Sequence, residues 1–379
     1  MDVYLDHAAT TPLDPKVRQY LFKLMEEVNG NPSSIHKYGR EARQKLEDAR
    51  KTIAGHLGAD PNEICFTSSG TEADNMALLS AIRQHGTRSV LSSPIEHHAV
   101  HHTLEVLAGL GEIDLTYIPL DKTGHPDLNF LESWLKDHPE GLVSIMHANN
   151  EIGNLVDLNE IGSLCHTHDA LFHTDTVQTI GYVDFNLSQM PVDYLVGSAH
   201  KFYGPKGVGF LYHRSGCKVA PMIHGGGQEK LRRGGTENVH GICAMAYALD
   251  LMESQREEFK PRMQQLKQQL YQRIRSEIPE AKCNGDPGGA SHYTVVNVTL
   301  PEFEGQALFF ARLDQAGVAA SGGSACAGGG KSHVIDQLRP DAEGVTVRLS
   351  IGKHTTETEI EYAVEKIRDI VGVAKHASV

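Results

Sequence analysis

The sequence predicts an α/β protein built on a large, mostly parallel sheet, joined to a smaller α+β unit. Two observations carry this expectation. Short apolar runs alternate with amphipathic stretches of 10 to 15 residues from Ile64 to Thr174, the signature of βαβ units. After about Asn238 the texture changes to a long helical region and then to strands and helices in mixed order.

Taken in order, Val3–Leu5 reads as a short strand and residues 15–28 as a helix with Pro15 in its first turn. A helix over 40–57 is closed by Gly58. Strands follow at 64–67, 89–92, 114–118, 142–147 and 171–174, with helices at 71–85, 99–110, 128–136 and 158–168 between them. Another strand leads from Tyr194 to Val196, and one from Val208 to Tyr212. The remainder reads as a helix to about Ile278, strands at 294–300 and 346–351, and helices at 304–316 and 357–371. The expected division is a large domain over 15–250 and a small one made of 1–14 and 251–379.

The 379 residues suffice for a large core, and 40% hydrophobic with 22% charged residues is ordinary for a globular protein. A formal net charge of −13 argues against a nucleic-acid partner, which needs a basic face. No apolar run is long enough to cross a membrane, and no secretory signal is read at Met1–Asp6. A reducing, cytoplasmic setting is expected, so the six cysteines, which show no zinc or thioredoxin spacing, are expected as thiols.

In open α/β sheets ligands bind beyond the carboxyl ends of the strands, and three stretches fall there. Lys201 follows the 194–196 strand through Gly197-Ser198-Ala199-His200. A lysine at a cleft wall is partly desolvated and becomes nucleophilic toward carbonyls, though one lysine in a turn is by itself more simply a surface residue. Phe66-Thr67-Ser68-Ser69-Gly70-Thr71-Glu72 runs from strand to helix, where free N–H groups and the helix dipole suit an anion, or where Ser69 is only an N-cap. Asp175 ends a strand, with Gln178 three residues on; the carboxylate could hold a heterocyclic N–H⁺ or could be a turn residue. Together the three are the parts that a pyridoxal 5′-phosphate site needs.

Further stretches stand with them: Tyr4-Leu5-Asp6-His7-Ala8-Ala9-Thr10-Thr11-Pro12, Gly30-Asn31-Pro32-Ser33-Ser34, Thr71-Glu72-Ala73-Asp74-Asn75, Glu96-His97, His147-Ala148-Asn149-Asn150-Glu151-Ile152-Gly153, His200-Lys201, His224-Gly225-Gly226-Gly227 and Ser324-Ala325-Cys326. In this order, over nearly the whole chain, the set resembles the cysteine desulfurases of the NifS/IscS type. The resemblance implies fold type I of the pyridoxal phosphate-dependent transferases (aspartate aminotransferase-like) and a homodimer with sites at its interface. It implies Lys201 as the cofactor's anchor, His97 stacked on the ring, Asp175 on the pyridine nitrogen, and Asn150 and Gln178 at the phenolic edge. Gly70, Thr71, Ser198 and His200 would hold the phosphate, with Thr236 of the partner subunit. Arg348 would take the carboxylate of L-cysteine, and Cys326 its sulfur, to be passed to an acceptor such as an iron–sulfur scaffold protein.

The residues agree with these roles. Arg348 ends a strand, and its planar fork matches a carboxylate. His97, His98, His101 and His102 have helical spacing that suits a metal, but no Cys or carboxylate is tied to them by spacing, so no metal is expected. Cys326 lies in Ser321–Lys331, where five of eleven residues are glycine. That stretch makes a poor packing environment and a better carrier of a reactive thiol. A selenocysteine lyase shares most of these motifs and stands as the alternative.

Overall fold

The computed structural model describes residues 1–323 and 332–372. Its strands and helices are, in order, β1 (Val3–Tyr4), α1 (Pro15–Glu27), α2 (Lys37–Leu57), β2 (Ile64–Thr67), α3 (Gly70–His85), β3 (Ser89–Ser92), α4 (His98–Gly109) and β4 (Asp114–Tyr117). There follow α5 (Leu128–Asp137), β5 (Leu142–Ser144), α6 (Leu158–Thr167), β6 (Leu171–Asp175), β7 (Tyr194–Ser198), β8 (Gly209–His213) and α7 (Val239–Glu277). The chain continues with β9 (Lys282–Asn284), β10 (Val295–Leu300), α8 (Phe309–Gln315), β11 (Val318–Ala319), α9 (His333–Leu338), β12 (Val345–Ser350) and α10 (Glu357–Val371).

Seven strands form one sheet in the order β2-β8-β7-β6-β5-β3-β4. β8 is antiparallel to both its neighbours, and the other pairings are parallel. The expected parallel sheet is therefore present, with one reversed strand. Alternate residues serve its two faces, as the pleat requires. Tyr194, Val196 and Leu211 pack with Ala73, Ala77 and Leu104 of α3 and α4. Leu195 and Phe210 pack with Leu46, Ile161 and Leu249 of α2, α6 and α7.

A second, antiparallel sheet has the order β12-β10-β9, and β1 pairs in parallel with β11 through Val3↔Val318. This pairing brings the amino terminus to the later part of the chain.

Four differences from the sequence reading have local causes. α2 starts at Lys37, three residues early, because the His36 side chain caps it by accepting the Gly39 N–H. The strand expected to reach His147 stops at Ser144, and the Met146 N–H goes instead to the Glu96 carboxyl at 2.8 Å. The helix expected from Glu304 begins only at Phe309, since Gly305 adopts φ +77°. β9, β11 and α9 are too short, at two to six residues, to show a period.

Candidate active site

A cavity of about 170 Å³ opens where the carboxyl ends of β6 and β7 meet the start of α3. It is lined by Gly70, Thr71, His97, Asn150, Asp175, Gln178, Ser198, His200, Lys201 and Arg348, together with Ala8, Ala9, Ser69, Asp74, Met146 and Val177. The strand-end rule thus brings together ten residues that the sequence singles out.

Lys201 ends a single 3₁₀ turn, Ala199–Lys201, that leaves β7. Its Nζ donates to the carbonyl oxygens of Ala8 at 2.5 Å and Ala9 at 3.0 Å. The Gln178 side-chain amide donates to the same Ala8 oxygen at 3.1 Å. The amino-terminal segment is therefore a wall of the cavity and not only a neighbour of the second sheet.

α3 starts at Gly70, and Ser69 caps it by accepting the Glu72 N–H. A Cβ on Gly70 would lie 2.8 Å from Val177 Cγ2 and 3.4 Å from Ser198 Cβ. Close approach of α3 to the ends of β6 and β7 thus requires glycine here. The first-turn N–H groups of α3 and its dipole face the cavity beside Thr71, Ser198 and His200, which suits an anion.

Asp175 accepts the Val177 N–H at 2.8 Å. Burial pushes its carboxyl up to about 6, while that N–H and Lys201 pull it the other way. Behind it stand two further buried carboxyls, Asp74 and Glu96, each raised well above the ordinary range by burial. His173 lies 3.4 Å from Asp74 and is lowered to about 3 by burial, so this pair is neutral. Asp175 is the carboxyl of the three that Lys201 also pulls down, and it is the one at the strand end.

His97 caps α4, with Nδ1 accepting the Ala99 N–H at 3.2 Å, which leaves the proton on Nε2. Burial, with Lys201 and neighbouring histidines, lowers it to about 4, so the ring is neutral. Ligand atoms of Asp74, His97 and Asp175 lie within 4.8 Å of one another, a set that a metal ion could also use. Burial favours the protonated form of Asp74, which is a poor metal ligand. Asp175 and the neutral His97 imidazole suit the ring of an organic cofactor, the acid able to pair with a ring N–H⁺.

Arg348, on β12, is 1% exposed. Its guanidinium donates to the Asn150 carbonyl at 2.9 Å and to Asp6 at 2.8 Å. Thr236 is exposed and lies outside this cavity, in a separate cleft with Ser68, Gly207 and Arg233. Arg233 ties that cleft to the anion turn through a 2.9 Å bond to Glu72. Cys326 lies outside the described residues.

Sequence reasoning gave no role to Asp6, Ala8, Ala9 or Asp74. Asp74 sits one helical turn after Gly70 on the same face, which was a usable signal. The other three sit in the quoted run from Tyr4 to Pro12, whose small residues leave room for the Lys201 side chain.

The residues present fit pyridoxal phosphate by their chemistry: an amine, a buried acid, a neutral imidazole and a helix-start anion turn around a glycine-only contact. Fold and site define a fold type I pyridoxal phosphate-dependent enzyme. The chain belongs to the aminotransferase class-V family, whose model matches residues 3–363. It is 39% identical over 376 residues to a protein named cysteine desulfurase IscS from Dictyoglomus turgidum, covering 98% of this chain and 94% of that one. A solved NifS-like protein superposes with a TM-score of 0.90 at 35% identity, covering 98% and 99% of the two chains. A structure described as SspA in complex with cysteine superposes with a TM-score of 0.79 at 29% identity, covering 93% of this chain and 100% of that one.

Proposed function

We propose that this chain is a cysteine desulfurase that converts L-cysteine to L-alanine and leaves the sulfur as a persulfide on Cys326. The observation that carries the reading is one cavity holding Lys201, Asp175, His97 and Arg348 together. Relatives named cysteine desulfurase and a neighbour solved with cysteine agree with it.

The roles proposed are those that the resemblance implies, and the lining of the cavity supports them. Arg348 receives the substrate carboxylate, with Asn150 beside it. Pyridoxal 5′-phosphate, when bound, supplies an electron sink for bonds broken at the substrate Cα. Lys201 anchors the cofactor and moves the Cα proton. Asp175 would keep a proton on the ring nitrogen, and His97, a neutral imidazole, would cover the ring. Gln178 and Asn150 would serve the phenolic edge. Gly70, Thr71, Ser198 and His200 would hold the phosphate, with Thr236 of the partner subunit in a homodimer. The Cys326 thiolate attacks the substrate sulfur. The Cβ–S bond breaks, an S–S bond forms, and Cβ takes a proton to become the methyl group of alanine.

The same reading gives a large cofactor domain at 15–250 and a small one at 1–14 and 251–379. It also places the protein in the cytoplasm, handing sulfur to an acceptor such as an iron–sulfur scaffold protein. Among the described residues no helix is long and apolar enough to cross a membrane. The test is spectroscopic. Pyridoxal phosphate added to purified protein should raise a visible band that borohydride fixes on Lys201 and that Lys201→Ala abolishes. A band that persists in Lys201→Ala would refute the assignment.

A further inference from the structure

Arg348 meets the cavity with an anion already on it. Asp6 Oδ1 lies 2.8 Å from one terminal nitrogen of Arg348. The same oxygen accepts the Ser321 hydroxyl at 2.9 Å. Ser321 is in turn fixed to Arg348, whose backbone N–H donates to the Ser321 carbonyl at 2.7 Å. The other terminal nitrogen is spent on the Asn150 carbonyl, and Nε has no partner among the described residues. Asp6 is therefore held by two donors, on the guanidinium that a substrate carboxylate would need.

We propose that Asp6 is a resident counter-charge on Arg348, a specificity-determining residue with which the substrate α-carboxylate must share the guanidinium. The inference rests on the reading of Arg348 as the carboxylate site. A buried arginine without an anion is costly, so Asp6 keeps Arg348 in place before substrate arrives. The incoming carboxylate then meets a cation already half neutralised, and two carboxylates on one guanidinium repel. Asp6 thus trades substrate affinity for a pre-set arginine. Ligands that lack the carboxylate are indifferent to it.

The test compares L-alanine with L-alaninamide, which lacks the charge, by titrating the visible band of the holoenzyme. Asp6→Asn should tighten L-alanine by about tenfold and leave L-alaninamide unchanged. Asp6→Ser removes the same charge with a smaller side chain and should do likewise. Unchanged or weaker L-alanine binding in a folded variant overturns the proposal, as does equal tightening of both ligands. Arg348→Lys separates the two layers of the argument. It should weaken L-alanine far more than L-alaninamide. If the ratio of the two stays at the wild-type value, the carboxylate assignment itself is wrong and the role of Asp6 falls with it.

Discussion

The carboxylate of Glu229 meets the guanidinium of Arg50 in two hydrogen bonds of 2.8 Å, with both side chains 3% exposed. The second Glu229 oxygen also accepts the Phe66 N–H at 2.9 Å, on the strand that leads to the anion turn. Glu229, Lys230 and Leu231 all have positive φ, at 44°, 57° and 67°, a conformation that side-chain-bearing residues adopt only when the surroundings hold them. The ion pair supplies that hold. Glu229→Ala leaves the buried Arg50 with only Glu47, at 3.3 Å from its Nε on the solvent side, and should cost about 3 kcal/mol, read from urea unfolding. A loss under about 1 kcal/mol would mean that the pair behaves as a surface pair.

Gly70→Ala addresses the anion turn. The added methyl would sit 2.8 Å from Val177 Cγ2, and a β-branched neighbour has little rotamer freedom with which to yield. Apo stability should fall by about 1–3 kcal/mol. Affinity for pyridoxal phosphate should fall by at least about tenfold, since displacing the α3 N-terminus misaims its N–H groups. Wild-type cofactor affinity in this variant would show that α3 does not hold the phosphate.

The fold was legible because α/β alternation is a property of contiguous sequence. Ile64–Thr67 and Ser89–Ser92 begin and end where their apolar runs do. Lys201, Asp175 and Gly70 were legible because each sits at a strand end, and topology turns strand ends into a site. Asp6 and Asp74 were not. Asp6 acquires its meaning only when β1 pairs with β11 and the chain returns through β12 to place Arg348 against it, some 340 residues later. Asp74 gains its character from burial beside Asp175 and Glu96, which no local pattern records. The resemblance supplied what spacing could not, above all the roles of His97 and Cys326.

Acid should unfold the protein through neutral buried histidines. His292 is 1% exposed and lowered to about 3 by burial, with Nδ1 bonded to the Thr294 hydroxyl at 2.5 Å. Its folded pKa lies below the ordinary 6.5, so the unfolded chain binds the proton first. The stability this group contributes is complete above pH 6.5 and is lost as pH falls from there toward 3. Asp175, raised to about 6, acts in the opposite sense, so a single-site difference is the clean measurement. His292→Asn should remove one proton's worth of the pH slope between about pH 6 and 4, roughly 1.4 kcal/mol per pH unit. An identical slope in both proteins would mean that His292 is protonated in the fold.

Asp175→Asn keeps the shape and removes the charge. Asparagine cannot hold a proton on the ring nitrogen, so kcat for cysteine should fall by about 10²–10⁴-fold, with a much smaller change in KM. A variant within about threefold of wild type would remove Asp175 from the chemistry.

The central claim is that sulfur leaves cysteine and comes to rest on Cys326. The most direct measurement is mass spectrometry of the holoenzyme after incubation with L-cysteine, with alanine quantified in the same sample. The account predicts one additional sulfur atom on the peptide bearing Cys326, matched mole for mole by alanine in a single turnover, and neither in Lys201→Ala. Alanine formed with no added sulfur on Cys326, or sulfur added to another of the cysteines in its place, would contradict it.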